Sequence, residues 1–395
     1  MNDHSSLLSP DTLAQAATLL AHDEPLPGGP VVPPIYQTSL FTFASFAEMA
    51  DTFAGRRRQP IYSRGDNPTV MEFESRIAAL EGAEAARAFS SGMGAISATI
   101  LAFVGAGERM VAVRHVYGDA YRLFERLLPH LGITVDYVDG SDAAAVAAAL
   151  PGARLLYLEN PCSMIFELQE IALLARMARA QGIVTAIDNS WATPLFQKPI
   201  THGVDLVLHS ASKYLGGHSD TVAGIVAGSA EHIARINART FPYLGAKLSP
   251  FEAWLLLRGL RTLPLRLAHH MKSALAIAER LRGHPAVERV MHPAYSNHPG
   301  KATLTGFSGL FSFEVAEAID VPAFIDALRL FRIGVSWGGH ESLVVPALAS
   351  LQQTPDVNSF SRFGVSPRTI RLHIGVEDTE DLWADLTQAL DRARR

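Results

Sequence analysis

At 395 residues the chain exceeds one ordinary small domain and predicts two or three. Apolar residues make up 48% and charged residues 18%, enough for a sizeable core and incompatible with long disorder. A net charge of −5, no concentrated basic face and a single cysteine (Cys162) argue against a nucleic-acid binder, a disulfide scaffold and a multi-cysteine metal site.

Residues 1–21 show no cationic segment ahead of an apolar run, so no signal peptide is expected. Ser9-Pro10-Asp11 has the form of a helix start, with the helix running to about His22. Residues 25–34 are mostly proline and glycine and read as an arm or linker, of the kind that lies on another subunit. Asn67-Pro68 opens a helix through Leu80 that Gly82 ends. The apolar run 86–89 meets Ser90-Ser91-Gly92 and then a helical pattern to Val104. The uncharged window 88–107 has the length of a membrane span, but serines, a threonine and four glycines interrupt it, and a cytoplasmic protein is expected. Strand-like runs follow at 110–113, 134–138, 155–159, 184–188, 206–209 and 224–227, with helical patterns at 120–131, 143–150 and 168–181 between the earlier ones. This alternation predicts an α/β fold with a mostly parallel sheet flanked by helices, its chemistry at the carboxyl ends of the strands. After a long helical stretch, 250–282, sparser strands (287–291, 310–315, 369–374) and helices (322–330, 379–394) predict a smaller C-terminal α+β domain.

The most informative segment runs from Leu206 to Asp220, where a buried-strand pattern leads into Ser210, Ser212, Lys213 and a Gly-Gly turn. A lysine shielded there has a lowered pKa and is suited to forming a Schiff base. Ser210 and Ser212 read either as phosphate anchors or as turn caps. Asp188 ends an apolar strand, which suits a helix cap, a metal ligand or the partner of a protonated ring nitrogen; the nearby lysine favours the last. Ser90-Ser-Gly-Met-Gly-Ala offers backbone N–H groups at a helix start, a natural cup for phosphate. Together these groups match the needs of pyridoxal 5'-phosphate: a lysine, an acid for the pyridinium and phosphate anchors. Two other patterns compete. Gly92-x-Gly94-x-x-Ser97 nearly matches a dinucleotide fingerprint, but its third glycine is replaced. Gly334-x-Ser336-x-Gly338, followed by Asp356 and His373, has the order of a serine hydrolase. His269-His270 are adjacent and point to different helix faces, and no metal site is expected.

From about Tyr36 to Leu386 the chain resembles the pyridoxal-phosphate enzymes of cysteine and methionine metabolism, the transsulfuration group. The resemblance implies fold type I, the aspartate aminotransferase-like fold. It makes Lys213 the Schiff-base lysine and Asp188 the partner of the pyridine nitrogen. Gly92 and Met93, with Ser210 and Ser212, would hold the phosphate. Tyr117, otherwise readable as a core aromatic, would stack on the ring and assist proton transfer. Tyr62 and Arg64, otherwise a surface turn, resemble a pair that reaches the phosphate of a neighbouring subunit. Arg371 would clamp the substrate carboxylate, which a planar guanidinium suits, with Ser336, Trp337 and Asn160 beside it. The implied division is an arm over 1–65, a large cofactor-binding domain over 66–258 and a C-terminal domain over 259–395. The implied assembly is a homo-oligomer, a dimer of dimers, with an amino acid as substrate and neither nucleic acid nor membrane as partner.

Segments 158–164 and 336–343 are most similar to bacterial cystathionine β-lyases, whereas 62–69 and 193–197 resemble the γ-acting members. Asp119 stands where many members carry glycine or cysteine, and His340 where many carry an aromatic residue. The expected activity is β-elimination from cystathionine or a related thioether, giving homocysteine, pyruvate and ammonia. The alternatives are γ-elimination or γ-replacement on the same scaffold, a serine hydrolase using Ser336, and a catalytically silent cofactor-binding regulator.

Overall fold

The computed structural model describes residues 13–22 and 28–395. The Ser9-Pro10-Asp11 helix start and the first residues of the proline-rich arm therefore lie outside the described residues; the helix itself is seen at Leu13–Ala21.

Seven strands form the larger sheet: β1 (Ala85–Phe89), β2 (Arg109–Val113), β3 (Thr134–Val138), β4 (Leu155–Glu159), β5 (Val184–Asp188), β6 (Leu206–His209) and β7 (Gly224–Gly228). Their order is β1-β7-β6-β5-β4-β2-β3, parallel throughout except at β7, which runs antiparallel to both neighbours. The exception has a local cause. The connection from Ser210 to Ala223 contains no helix to cross the sheet, so the chain turns back beside β6. The sheet is covered on both faces. Val226 packs into one apolar cluster, while Ile225 and Ala227 beside it pack into the other, as the twofold alternation of a strand requires. This is fold type I, the expected α/β architecture.

The dinucleotide reading fails on topology. The Gly92–Phe103 helix does follow β1, but β1 is an edge strand paired only with β7, so no β-α-β unit joins it to β2.

Five strands form the second sheet: β8 (Val287–Met291), β9 (Leu310–Val315), β10 (Arg332–Ile333), β11 (Leu343–Pro346) and β12 (Thr369–His373), in the order β10-β11-β12-β9-β8. Its apolar face packs against the Thr379–Arg392 helix through Phe311, Phe313, Leu382 and Leu386. The helical stretch expected over 250–282 is two helices, Pro250–Arg261 and Leu263–Arg282, divided because Pro264 lacks an N–H and its ring blocks the preceding turn. Among the described residues, no helix is long and apolar enough to cross a membrane.

Candidate active site

The carboxyl ends of β4, β5 and β6 and the start of the Gly92–Phe103 helix open on one cavity of about 760 Å³. That volume suits a cofactor with a small substrate. The second sheet supplies the opposite wall through Val335, Ser336, Trp337 and Arg371.

Lys213 lies just beyond the end of β6. Its Nζ donates to Ser336 Oγ at 2.5 Å and sits 5.7 Å from the centre of the Trp337 ring. Burial lowers its pKa to about 8, helped by the charge of Arg371 and opposed by Asp188. Asp188 ends β5, and its Oδ1 accepts the Ser190 N–H at 2.9 Å. Desolvation raises its pKa, against the hydrogen bonds from Ser190 and the positive groups His209 and Lys213. Glu159 stands in register with Asp188 at the end of β4. Burial, reinforced by the Asp188 charge, pushes the Glu159 carboxyl well up, and its Oε2 accepts the Tyr117 N–H at 2.7 Å.

Arg371, in the middle of β12, donates through Nη2 to the Ser336 carbonyl at 3.2 Å. Burial lowers its pKa to about 10, so it stays charged at neutral pH and needs an anionic partner. Ser336 adopts a left-handed backbone, φ 81°, which aims its side chain at Lys213. Gly338 follows at φ 88°, and a Cβ there would meet Tyr214 N at 2.6 Å and Lys213 C at 2.8 Å. Only glycine lets this loop close on the lysine backbone.

The cavity thus brings together Lys213, Asp188, Gly92, Met93, Ser210, Ser212, Tyr117, Arg371, Ser336 and Trp337. Asn160 is elsewhere, and Tyr62 and Arg64 were expected to serve a neighbouring subunit rather than this cavity. Asn160 is fully buried, its side chain accepting the Gln169 N–H at 2.8 Å and facing Gln197, so it is not part of the cavity wall. Tyr62 and Arg64 lie outside the cavity, stacked with the Arg64 guanidinium 5.7 Å from the Tyr62 ring centre. Glu159, Asp119 and Arg122 line the cavity without having been named as site residues. Glu159 had a readable signal, a charge at the end of an apolar strand. Arg122 had none, being one of many helical arginines.

The hydrolase reading is not assembled. Ser336 Oγ faces Lys213 rather than an imidazole, and His373 Nε2 lies 3.1 Å from the backbone N of Gly338 and from the Gly339 carbonyl oxygen, either of which engages it according to its tautomer. Asp356 pairs with Arg126 at the surface. β10 is a two-residue edge strand, and no helix follows Ser336 as a nucleophile elbow requires.

The donor set fits pyridoxal phosphate. The Gly92–Phe103 helix presents its N-terminus to the cavity with no side chain at Gly92, where a Cβ would lie 3.0 Å from Ser210 Cβ. That open cradle, a shielded lysine and a desolvated carboxyl at adjacent strand ends suit a phosphate, an aldehyde and a ring nitrogen. Ser212 is less free than expected, because its hydroxyl already exchanges hydrogen bonds with the Ala223 carbonyl and N–H.

Comparisons with known proteins agree. Residues 17–391 match the family described as Cys/Met metabolism PLP-dependent enzyme. The chain is 39% identical to the L-methionine gamma-lyase of Pseudomonas deceptionensis, over 92% of this chain and 93% of that one. It is 37% identical to the cystathionine beta-lyase of Lactococcus lactis subsp. cremoris, over 92% and 95% of the two chains. The crystal structure of cystathionine gamma synthase from Xanthomonas oryzae pv. oryzae, in complex with aminoacrylate and cysteine, superposes with a TM-score of 0.89 at 36% identity, over 98% and 99% of the chains. Fold, donor set and likeness along nearly the whole chain converge: the protein belongs to the pyridoxal-phosphate-dependent enzymes of cysteine and methionine metabolism.

Proposed function

We propose that the protein is a carbon–sulfur lyase that cleaves cystathionine or a related thioether amino acid by β-elimination, releasing a thiol, pyruvate and ammonia. The observation that carries the reading is a shielded amine, Lys213, set between Asp188 and the Ser336–Arg371 wall of one cavity. When bound, pyridoxal phosphate supplies an electron sink for the pair released at the substrate α-carbon.

The chain's own groups have separate tasks. The first-turn N–H groups at Gly92 and Met93, with Ser210 and Ser212, would hold the phosphate. Asp188 would be the partner of the ring nitrogen, keeping a proton on it. Arg371 binds the substrate carboxylate through a planar two-point contact, and Ser336 orients it. Lys213 takes the α-proton; a pKa near 8 leaves a useful neutral fraction at physiological pH. Trp337 and Tyr117 shield the reacting atoms from water, and Tyr117 assists proton transfer beside the lysine.

A second reading, γ-elimination, draws support from the identity to an L-methionine gamma-lyase and the likeness to a cystathionine gamma synthase. Products from cystathionine separate the two. Pyruvate with homocysteine supports β-chemistry, and 2-oxobutyrate with cysteine supports γ-chemistry. Lys213→Ala is expected to cut thiol release by at least roughly 100-fold, the low end of the contribution of a general base. A cofactor-loaded protein that turns over no thioether amino acid would contradict both and leave a silent binder.

A further inference from the structure

We infer that Asp119 is a positioning residue that fixes the Tyr117 hydroxyl in the cavity wall and ties it, through Arg122, to the Thr354 segment. The inference rests on the reading above, in which Tyr117 acts beside Lys213.

Tyr117 precedes the short Gly118–Arg122 helix and is 45% exposed; Glu159 holds its backbone N–H, which leaves the direction of the ring to its side-chain contact. The hydroxyl donates to Asp119 Oδ2 at 2.8 Å. The other carboxylate oxygen, Oδ1, accepts from Arg122 Nε at 2.8 Å and Nη2 at 2.5 Å. Arg122 Nη1 then reaches Thr354 Oγ1 at 3.3 Å. Thr354 belongs to the segment that also presents Gln353, Asn358 and Phe360 to the cavity. One polar chain therefore runs from the Tyr117 ring to Thr354.

Both oxygens of Asp119 are occupied, so the carboxylate is not a spare base. Its effect passes through Tyr117. The charged groups facing the phenol are Asp119, Arg122 and Arg371; Glu159 touches only the Tyr117 backbone N–H. Burial and Asp119 together push the phenol's pKa up, outweighing the two arginines. Asp119 thus adds to the upward shift that burial begins and gives the hydroxyl one direction. A hydrogen bond to a charged acceptor is about twice as strong as a neutral one, so removing it releases the ring.

The test compares Asp119→Ala, Asp119→Asn, Tyr117→Phe and the double variant Asp119→Ala/Tyr117→Phe. In the cofactor-loaded enzyme, Asp119→Ala is expected to lower kcat by about tenfold with little change in KM, the worth of one charge-assisted contact. It should add almost nothing in the Tyr117→Phe background, since both changes break one link. Asp119→Asn, which keeps an acceptor, should recover part of the loss. In the cofactor-free protein, the Tyr117 contribution is the alkaline tyrosinate absorbance minus that of the matching Phe variant. It should move to lower pH in Asp119→Ala. An unmoved titration with kcat within about twofold of the parent would overturn the inference. Should Tyr117→Phe itself prove fully active, the catalytic assignment of Tyr117 falls, while the cofactor-free titration still decides whether Asp119 holds it.

Discussion

Lys213, Asp188 and Arg371 were legible in the sequence because each places a charge within, at the end of or just past an apolar strand, where solvent cannot explain it. Asn160 was not: the same strand-end position turns its amide inward to Gln169 and Gln197, and nothing in the residue order distinguishes the two directions. Buried histidines follow the same physics, and like a salt-bridged acid they lose stability as pH falls, here through a lowered histidine pKa. Burial drives the His292 pKa from 6.5 down to about 3. Below pH 6.5 the unfolded chain takes up a proton that the folded chain refuses, so stability is intact above that pH and falls as pH drops toward 3. His292 Nδ1 also accepts the Ala294 N–H at 3.0 Å, a cap that asparagine can reproduce. Between about pH 7 and about pH 5 the parent should therefore lose about 2 kcal/mol more in urea unfolding than His292→Asn. Equal losses would show that His292 is not held neutral.

Most elements were readable where the local chemistry is complete. The Pro68–Glu81 helix has its Asn67 cap, Pro68 at the start and a left-handed Gly82 at the end, all visible in the residue order. The Phe46–Phe53 and Ala230–Arg239 helices were missed although Ser45 and Ser229 cap them, because neither opens on an apolar run long enough to stand out. The direction of β7 was unreadable, since it depends on a loop with no helix rather than on the strand itself. β7 nevertheless controls the phosphate cradle. A Cβ on Gly224 would lie 2.2 Å from the Ser91 carbonyl oxygen and 2.8 Å from Gly92 Cα, both backbone atoms that cannot swing aside. Gly224→Ala should cost about 1–3 kcal/mol and weaken pyridoxal phosphate binding together, by displacing Ser91, which caps the helix. Denaturant unfolding and a cofactor titration check both, and parental values in the two assays would refute the coupling.

At the scale of the molecule, Tyr62 and Arg64 lie away from the cavity of their own chain. Neither lines it, and Leu40, which pairs with Tyr62, is itself exposed. We propose that they serve a second copy of the chain. Arg64→Ala and Lys213→Ala homomers should each be nearly inactive. Mixing and reassociating them should restore up to about a quarter of parental activity, because half the sites in a mixed twofold dimer are intact. Persistent inactivity would place Arg64 in its own chain's site or in none. All of these assignments depend on one covalent attachment. Borohydride reduction of the protein saturated with pyridoxal phosphate, followed by peptide mass mapping, should fix a phosphopyridoxyl group on Lys213 and leave every other lysine bare. An unmodified Lys213 under those conditions would contradict the whole account.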